Sequence, residues 1–306
     1  MEKLLSLKNL RKWFALKDQD HPAIAPGWIR AVDGVDLDIG LGETIGLMGT
    51  PYSGASILGL LILRKLLPTS GAIIFRGEDL ARSDKLETRE KMDKRGIFNL
   101  FSSFRYPIRP PHIQEAECSL EVVTPLDPKT TKKIYRDPPR LIVADTSLSP
   151  SIQTRKQIEV IIMKTKTNHK TSTLLITQDI GSITRSCDKI AVMYCGKIVE
   201  YVDVRTFLKE GLHPYCKGLL IYETFLEFSE TQSIDIIDMN IRRAIQKGSK
   251  VSSHSKYHDN VNLLNPPSGC RFHTRCPEYI GQICKLKQPP IREVSKGYYV
   301  ACHLYA

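Results

Sequence analysis

The chain has 306 residues, 42% of them apolar and 25% charged, which is enough to bury the core of one large domain or of a domain with an appendage. Its 44 lysines and arginines against 33 aspartates and glutamates give a formal net charge of +11, compatible with nucleic acid, an anionic membrane surface or simple solubility. The basic clusters at 129–140 and 164–170 offer no series of interleaved aromatics for stacking on bases, so nucleic acid is not an expected partner.

The N-terminus mixes charges with leucines and has no small-residue cleavage site, and apolar runs such as Ile57–Leu63 fall far short of the ~20 residues a membrane helix needs. A cytoplasmic location is therefore expected. In chain order, Val32–Ile39 alternates as a half-exposed strand and Thr44–Met48 reads as a short buried one. The segment from Ala55 to Leu67 has the length and apolar density of a helix, broken by Pro68 and Gly71, and Ala72–Phe75 reads as an edge strand. Arg140–Asp145 is a buried strand ending in an acid. A helix is expected from Ser149 to Lys166, with Ser149 as cap and Pro150 in the first turn.

Thr173–Thr177 and Lys189–Tyr194 repeat the short buried strand, a helix length apart, and Gly211–Leu220 carries Pro214 ahead of helical apolar spacing. Strands alternating with helices predict an α/β fold with a largely parallel sheet covered on both faces. Beyond Glu223, Ile234, Ile237, Ile241 and Ile245 recur at helical spacing, and 247–260 is serine-rich and aperiodic, as a linker would be. Three parts follow from this: residues 1–222 as the main domain, 223–262 as helix and polar linker, and 263–306 as a Cys-rich end.

Two stretches carry chemistry. The segment GTPYSGAS (Gly49–Ser56) places Gly49, Gly54 and Ser56 as a phosphate-binding loop would, between a strand and a helix, but has Ala55 where such a loop needs lysine. Read by itself, it is equally a glycine-rich strand-to-helix turn. Its company is Asp145, at the carboxyl end of a strand, where an acid that supports Mg²⁺ belongs. The second stretch is the end of the chain, where Cys270, Cys276, Cys284 and Cys302 crowd together while Cys118, Cys187, Cys195 and Cys216 are scattered. Four thiolates would suit an iron-sulfur cluster or zinc, although the spacing matches neither the usual zinc nor the ferredoxin pattern; reduced cysteines bracing a small subdomain are the alternative.

Several segments resemble the ATP-binding subunits of ABC transporters, in the oligopeptide, dipeptide and nickel importer branch. They are Leu5–Phe14, Ala31–Gly49, Leu66–Leu80, Leu141–Asp145, Asp188–Glu200, His213–Leu220, Asn265–Pro277 and Val300–Leu304. The last two point to the peptide-importer branch. The resemblance implies a P-loop NTPase-like fold and a sandwich in which two subunits enclose two ATP molecules with Mg²⁺. It also implies a second ATP-binding subunit and membrane permease subunits as partners, at the inner face of the cell membrane.

Carried over by position, the resemblance makes Trp13 or Phe14 the aromatic that stacks on adenine, with a core aromatic as the equal alternative. Gly49, Ser53, Gly54 and Ser56 correspond to the phosphate loop and Asp145 to the Mg²⁺-supporting aspartate. The departures concern hydrolysis. Ala55 replaces the lysine of the polyphosphate, Thr146 stands where the family has the glutamate that polarises water, and Gln178 replaces the histidine near the γ-phosphate. Asn99 is the nearest match to the glutamine that senses that phosphate. Residues 122–126 lack the family's signature sequence, and the interval of about 99–140 predicts a shortened helical subdomain, with no counterpart of the family's next aspartate in 147–153. Weak or absent hydrolysis is expected, because threonine is no general base at neutral pH. The other possibilities are a non-catalytic structural or regulatory module and a decayed paralogue.

Overall fold

A computed structural model of the protein describes residues 2–15, 27–50, 52–82, 86, 89–101, 128–147, 151–221 and 266–306. The expected helix and linker at 223–262, the signature region at 122–126, and Cys118, Ser149 and Pro150 lie outside them. The strands that read as short and wholly apolar occupy the centre of the main sheet, because only strands covered on both faces need apolar residues at every position. They are β3 (Thr44–Met48), β7 (Leu141–Asp145), β8 (Ser172–Thr177) and β9 (Lys189–Tyr194). With β6 (Ile97–Phe101) they run parallel in the order β9-β3-β8-β7-β6.

Alternate side chains of β7 go to opposite faces of the sheet. Leu141 and Val143 enter a core that includes most of α1 (Ala55–Ile62). Ile142 and Ala144 enter another, with Ile134 of α3 (Pro128–Arg136) and Ile158, Ile161 and Ile162 of α4 (Ile152–His169). The first face is closed by a second, antiparallel sheet in the order β2-β1-β4-β5, built on β1 (Lys3–Ala15) and β2 (Trp28–Gly40), with β4 (Ser70–Phe75) and the two-residue β5 (Glu78–Asp79). Helix α1 is thus packed on all sides, and seven of its eight residues are buried.

Three local expectations are corrected. Helix α1 stops at Ile62 instead of Leu67, because Arg64 turns left-handed at φ 55°. Its N–H returns to Leu61 O at 3.0 Å and that of Lys65 to Leu60 O at 2.9 Å, the paired bonds of a Schellman closure. The strand at Ala72–Phe75 is not an edge, since β4 lies between β1 and β5. Among the described residues the cap of α4 is Ser151, whose Oγ accepts from the N–H of Thr154, and the helix runs to His169, with Lys170 left-handed beyond it.

The C-terminal residues join the main sheet. Strand β9 turns back antiparallel into β10 (Lys197–Asp203), which pairs with β12 (Tyr298–Val300), and β12 with β11 (Arg292–Ser295). The junction is fastened by Glu200, fully buried, which accepts from the N–H of His213 at 2.6 Å, the N–H of Leu212 at 3.1 Å and the hydroxyl of Tyr298 at 2.7 Å. Burial raises its carboxyl above the ordinary range, and these donors oppose that shift. A helix at 214–221 follows, begun by Pro214, a residue suited to a first helical position.

At its head the buried His213 accepts the N–H of Tyr215 through Nδ1 at 3.1 Å, while its Nε2 has no hydrogen-bond partner among the described residues. Burial, assisted by the Lys217 cation, pushes its pKa down to about 3. The folded protein therefore resists protonation that the unfolded chain accepts near pH 6.5. Stability attributable to this residue is intact above pH 6.5 and falls as the pH drops from there towards 3. In His213→Asn, Oδ1 can accept the Tyr215 N–H, and urea unfolding should show a shallower loss of stability between pH 6.5 and 4 than wild type.

Candidate nucleotide site at the head of α1

The loop between β3 and α1 is folded tightly enough that its glycines are obligatory. Gly54, the N-cap of α1, sits at φ 97°, and a Cβ there would lie 2.0 Å from the carbonyl oxygen of Ala31 on β2. A Cβ on Gly49 would meet the Ser53 hydroxyl at 2.2 Å. The loop is stitched to its surroundings through the β9–β10 turn, where Gly196 donates its N–H to Ser53 O at 2.8 Å and accepts that of Asp33 at 2.9 Å. Tyr52 was missed by sequence reading. It adopts φ 67°, a left-handed conformation that costs a non-glycine residue roughly 1–2 kcal/mol.

Helix α1 begins at the end of β3, and β7 ends beside it, so Ser56 and Asp145 meet. The Ser56 hydroxyl is among the donors to the Asp145 carboxylate, together with the hydroxyl and N–H of Ser147, the latter at 2.9 Å. Asp145 is 4% exposed, and burial raises its carboxyl above the usual range despite these bonds. The Ser147 contact was readable in principle, since an aspartate that accepts an N–H two residues on is a common local turn. A hydroxyl and a carboxylate are hard oxygen donors of the kind Mg²⁺ takes, with phosphate and water completing its shell, so the residues present fit that ion.

The other sequence-predicted positions are placed as follows. Ala55 is buried and its N–H donates to Ser53 Oγ at 3.4 Å. Thr146 is 3% exposed; both its N–H, at 2.8 Å, and its hydroxyl, at 3.3 Å, donate to Ile176 O on β8. Gln178 is half-buried just past the end of β8. Asn99 lies within β6 opposite Val143, two rungs short of the Phe101–Asp145 pair. The structure therefore brings Ser53, Gly54, Ala55, Ser56 and Asp145 together and leaves Asn99 inside the sheet.

Of the two aromatics, Phe14 is buried in the core. Trp13 is half-buried and donates Nε1–H to Asp33 Oδ1 at 3.2 Å, with the Arg30 guanidinium 4.8 Å from its ring centroid.

Cys270, Cys276, Cys284 and Cys302 are free thiols. Among the described residues no group of three or more His, Cys, Asp and Glu is arranged to hold a metal ion. The possible iron-sulfur or zinc ligand set is therefore not supported among these residues. Burial pushes the Cys270 and Cys302 thiols up to about 11 and raises that of Cys276, which favours the protonated form. Cys270 instead packs in an apolar cluster with Tyr194 and Phe272, and its N–H donates to Cys284 O at 2.8 Å, as bracing residues would.

A strand, a glycine-bearing turn and a buried helix, set on a parallel sheet beside an antiparallel one, give the chain the fold of the ATP-binding cassettes. The cassette of an ABC transporter in the ADP conformation of MJ1267 is similar, with a TM-score of 0.51 at 16% identity, covering 72% of this chain and 99% of that one. Residues 199–284 match the family described as "Oligopeptide/dipeptide transporter, C-terminal region". The putative oligopeptide transport ATP-binding protein YkfD of Bacillus subtilis is 28% identical over 90% of each chain. The oligopeptide transport ATP-binding protein AppF of the same organism is 25% identical, over 100% of this chain and 98% of its own. The dipeptide transport ATP-binding protein DppD of Caldanaerobacter subterraneus is 26% identical, with the same coverage. Over most of its length the chain is similar to the ATP-binding subunits of ABC transporters, in their oligopeptide/dipeptide branch.

The buried Asp145 carboxylate yields a signed expectation. A carboxyl whose folded pKa is raised costs stability as the pH rises through that pKa, because the folded state then holds a charge it disfavours. Asp145→Asn removes this cost and keeps an acceptor for the Ser147 N–H. Its melting temperature in the absence of nucleotide should exceed that of wild type by a few degrees at pH 7–8, and the difference should shrink towards pH 4.

Proposed function

We propose that the protein is the nucleotide-binding subunit of a peptide importer that holds MgATP and turns it over weakly or not at all. The observation that carries this is the pairing of Ser56 with the buried Asp145 at the head of α1, beside Ala55 and a Thr146 whose hydroxyl is spent on Ile176 O. In this reading Mg²⁺ would supply positive charge that offsets the charge of the nucleotide's phosphates. Ser56 and Asp145 hold it, the remaining N–H groups around Gly54 and Ser56 face the phosphates, and Trp13 takes the adenine.

Hydrolysis needs a group that accepts a proton from water and a cation that stabilises the developing charge. Alanine at 55, threonine at 146 and glutamine at 178 supply neither. Losses of this kind cost roughly 10²- to 10⁴-fold each, without strict additivity. The subunit would work paired with a second ATP-binding subunit under membrane permease subunits, at the inner face of the membrane. Among the described residues no helix is long and apolar enough to cross one.

A specific observation favours a second reading, a non-catalytic module that keeps the fold for assembly. Two loop N–H groups are bonded within the loop, that of Ser53 to Thr50 O at 3.0 Å and that of Ala55 to Ser53 Oγ at 3.4 Å, so they are not free for phosphate. Calorimetric titration with MgATP and phosphate-release assays on the purified chain separate the readings. Micromolar binding, lost in Asp145→Ala, with turnover at background supports the first. No binding supports the module, and brisk turnover that survives Asp145→Ala overturns both.

A further inference from the structure

Two consecutive residues near the C-terminus reach the two ends of the candidate nucleotide site. Arg271, 8% exposed, donates from its guanidinium to Asp33 Oδ2 at 2.8 Å, across 238 positions of sequence. Asp33 is the same carboxylate that holds the Trp13 indole N–H, and Lys197 joins it from β10, its ammonium 2.7 Å from Asp33 O and 3.6 Å from Oδ2. Phe272, 1% exposed, packs edge-on against Tyr194 at 5.3 Å and with tilted rings against Tyr215 at 5.5 Å, while Tyr194 and Tyr215 lie 4.6 Å apart.

Tyr215 carries this contact into the loop. Its ring is fully buried, its hydroxyl donates to Thr50 Oγ1 at 3.2 Å, and it accepts the Thr50 N–H at 3.4 Å. Thr50 directly follows Gly49 and accepts the Ser53 N–H, so the hydroxyl of Tyr215 fixes the first half of the turn. We infer that Arg271 and Phe272 form a clasp through which the C-terminal segment positions the nucleotide site: Arg271 sets Trp13 through Asp33, and Phe272 sets the loop through Tyr215. All are positioning residues, acting on the site through other groups.

The inference rests on the reading of this site as one for MgATP, but one of its consequences does not. Without the Tyr215 hydroxyl, Thr50 loses its hold whether or not nucleotide binds. Tyr215→Phe keeps the ring stack and removes only the hydroxyl, and Phe272→Leu keeps an apolar side chain but loosens the stack. In hydrogen exchange on the nucleotide-free full chain, both variants should speed exchange in peptides covering 52–58 and leave β7 and β8 unchanged.

MgATP affinity of Tyr215→Phe, read by calorimetry, should fall roughly three- to tenfold, the size expected for one lost hydrogen bond. Arg271→Gln should shift the fluorescence of Trp13, read in a Trp28→Phe background, without speeding exchange in the loop. Unchanged loop exchange in both Tyr215→Phe and Phe272→Leu overturns the clasp, as does unchanged Trp13 emission in Arg271→Gln. If wild type fails to bind MgATP, the functional reading falls, and the exchange and fluorescence results still decide the clasp.

Discussion

The two sheets meet at a backbone contact that allows no side chain. Gly54 lies against the carbonyl oxygen of Ala31, and a Cβ on Gly196 would stand 2.6 Å from the carbonyl oxygen of Arg30. Ser53, Gly196 and Asp33 are then joined by successive main-chain hydrogen bonds. This joint seats α1 between the sheets and directs β2 past the end of β9. The glycines of the loop are therefore demanded by packing whether or not a phosphate is ever held there. Lysine at 55 is demanded by no such contact, and its place is filled by a buried alanine. The joint requires the glycines and is indifferent to the lysine, which is why the glycines by themselves say little about catalysis.

Legibility in the sequence follows from where each element is covered. Strands β3, β7, β8 and β9 are buried on both faces, so their apolar runs sufficed to place them. Helix α1 was overextended because its end depends on a left-handed arginine, and no residue type announces that as glycine would. Strands β11 and β12 escaped notice because all four residues of β11 are exposed and β10, which joins β12 to the main sheet, is about a hundred positions away. The meeting of Ser56 and Asp145 was legible because both stand at element ends on the same edge of a parallel sheet. The bond from Trp13 to Asp33 and that from Tyr215 to Thr50 were not, since they join residues far apart in the chain with no shared motif.

The cysteines show how the same residues support different physics in different surroundings. Four thiols within the last 37 residues suit either a ligand set or a brace when only the sequence is known. In the fold, Cys270 is buried in the cluster of Tyr194 and Phe272, and desolvation disfavours the thiolate a metal would need. What the segment contributes is shape. It closes the aromatic cluster of Tyr194, Tyr215 and Phe272 and adds two strands to the sheet.

Holding a nucleotide and cleaving it make separable demands on this site. Holding it asks for main-chain donors, a hydroxyl and a carboxylate, which in the proposed reading would come from the loop, Ser56 and Asp145, each fixed by packing that the fold needs anyway. Cleavage asks for a cation and a base aimed at atoms that appear only in the transition state, and such groups have no structural duty. Thr146 illustrates the difference. At the end of β7 its hydroxyl bonds Ile176 O and so ties the strand to β8, a role that a glutamate aimed at solvent would not fill. Substitution at 55, 146 and 178 leaves the sheet, the loop and the buried Asp145 in place. A subunit of this fold can therefore lose turnover while its architecture, and with it the surfaces through which it would meet partners, persists.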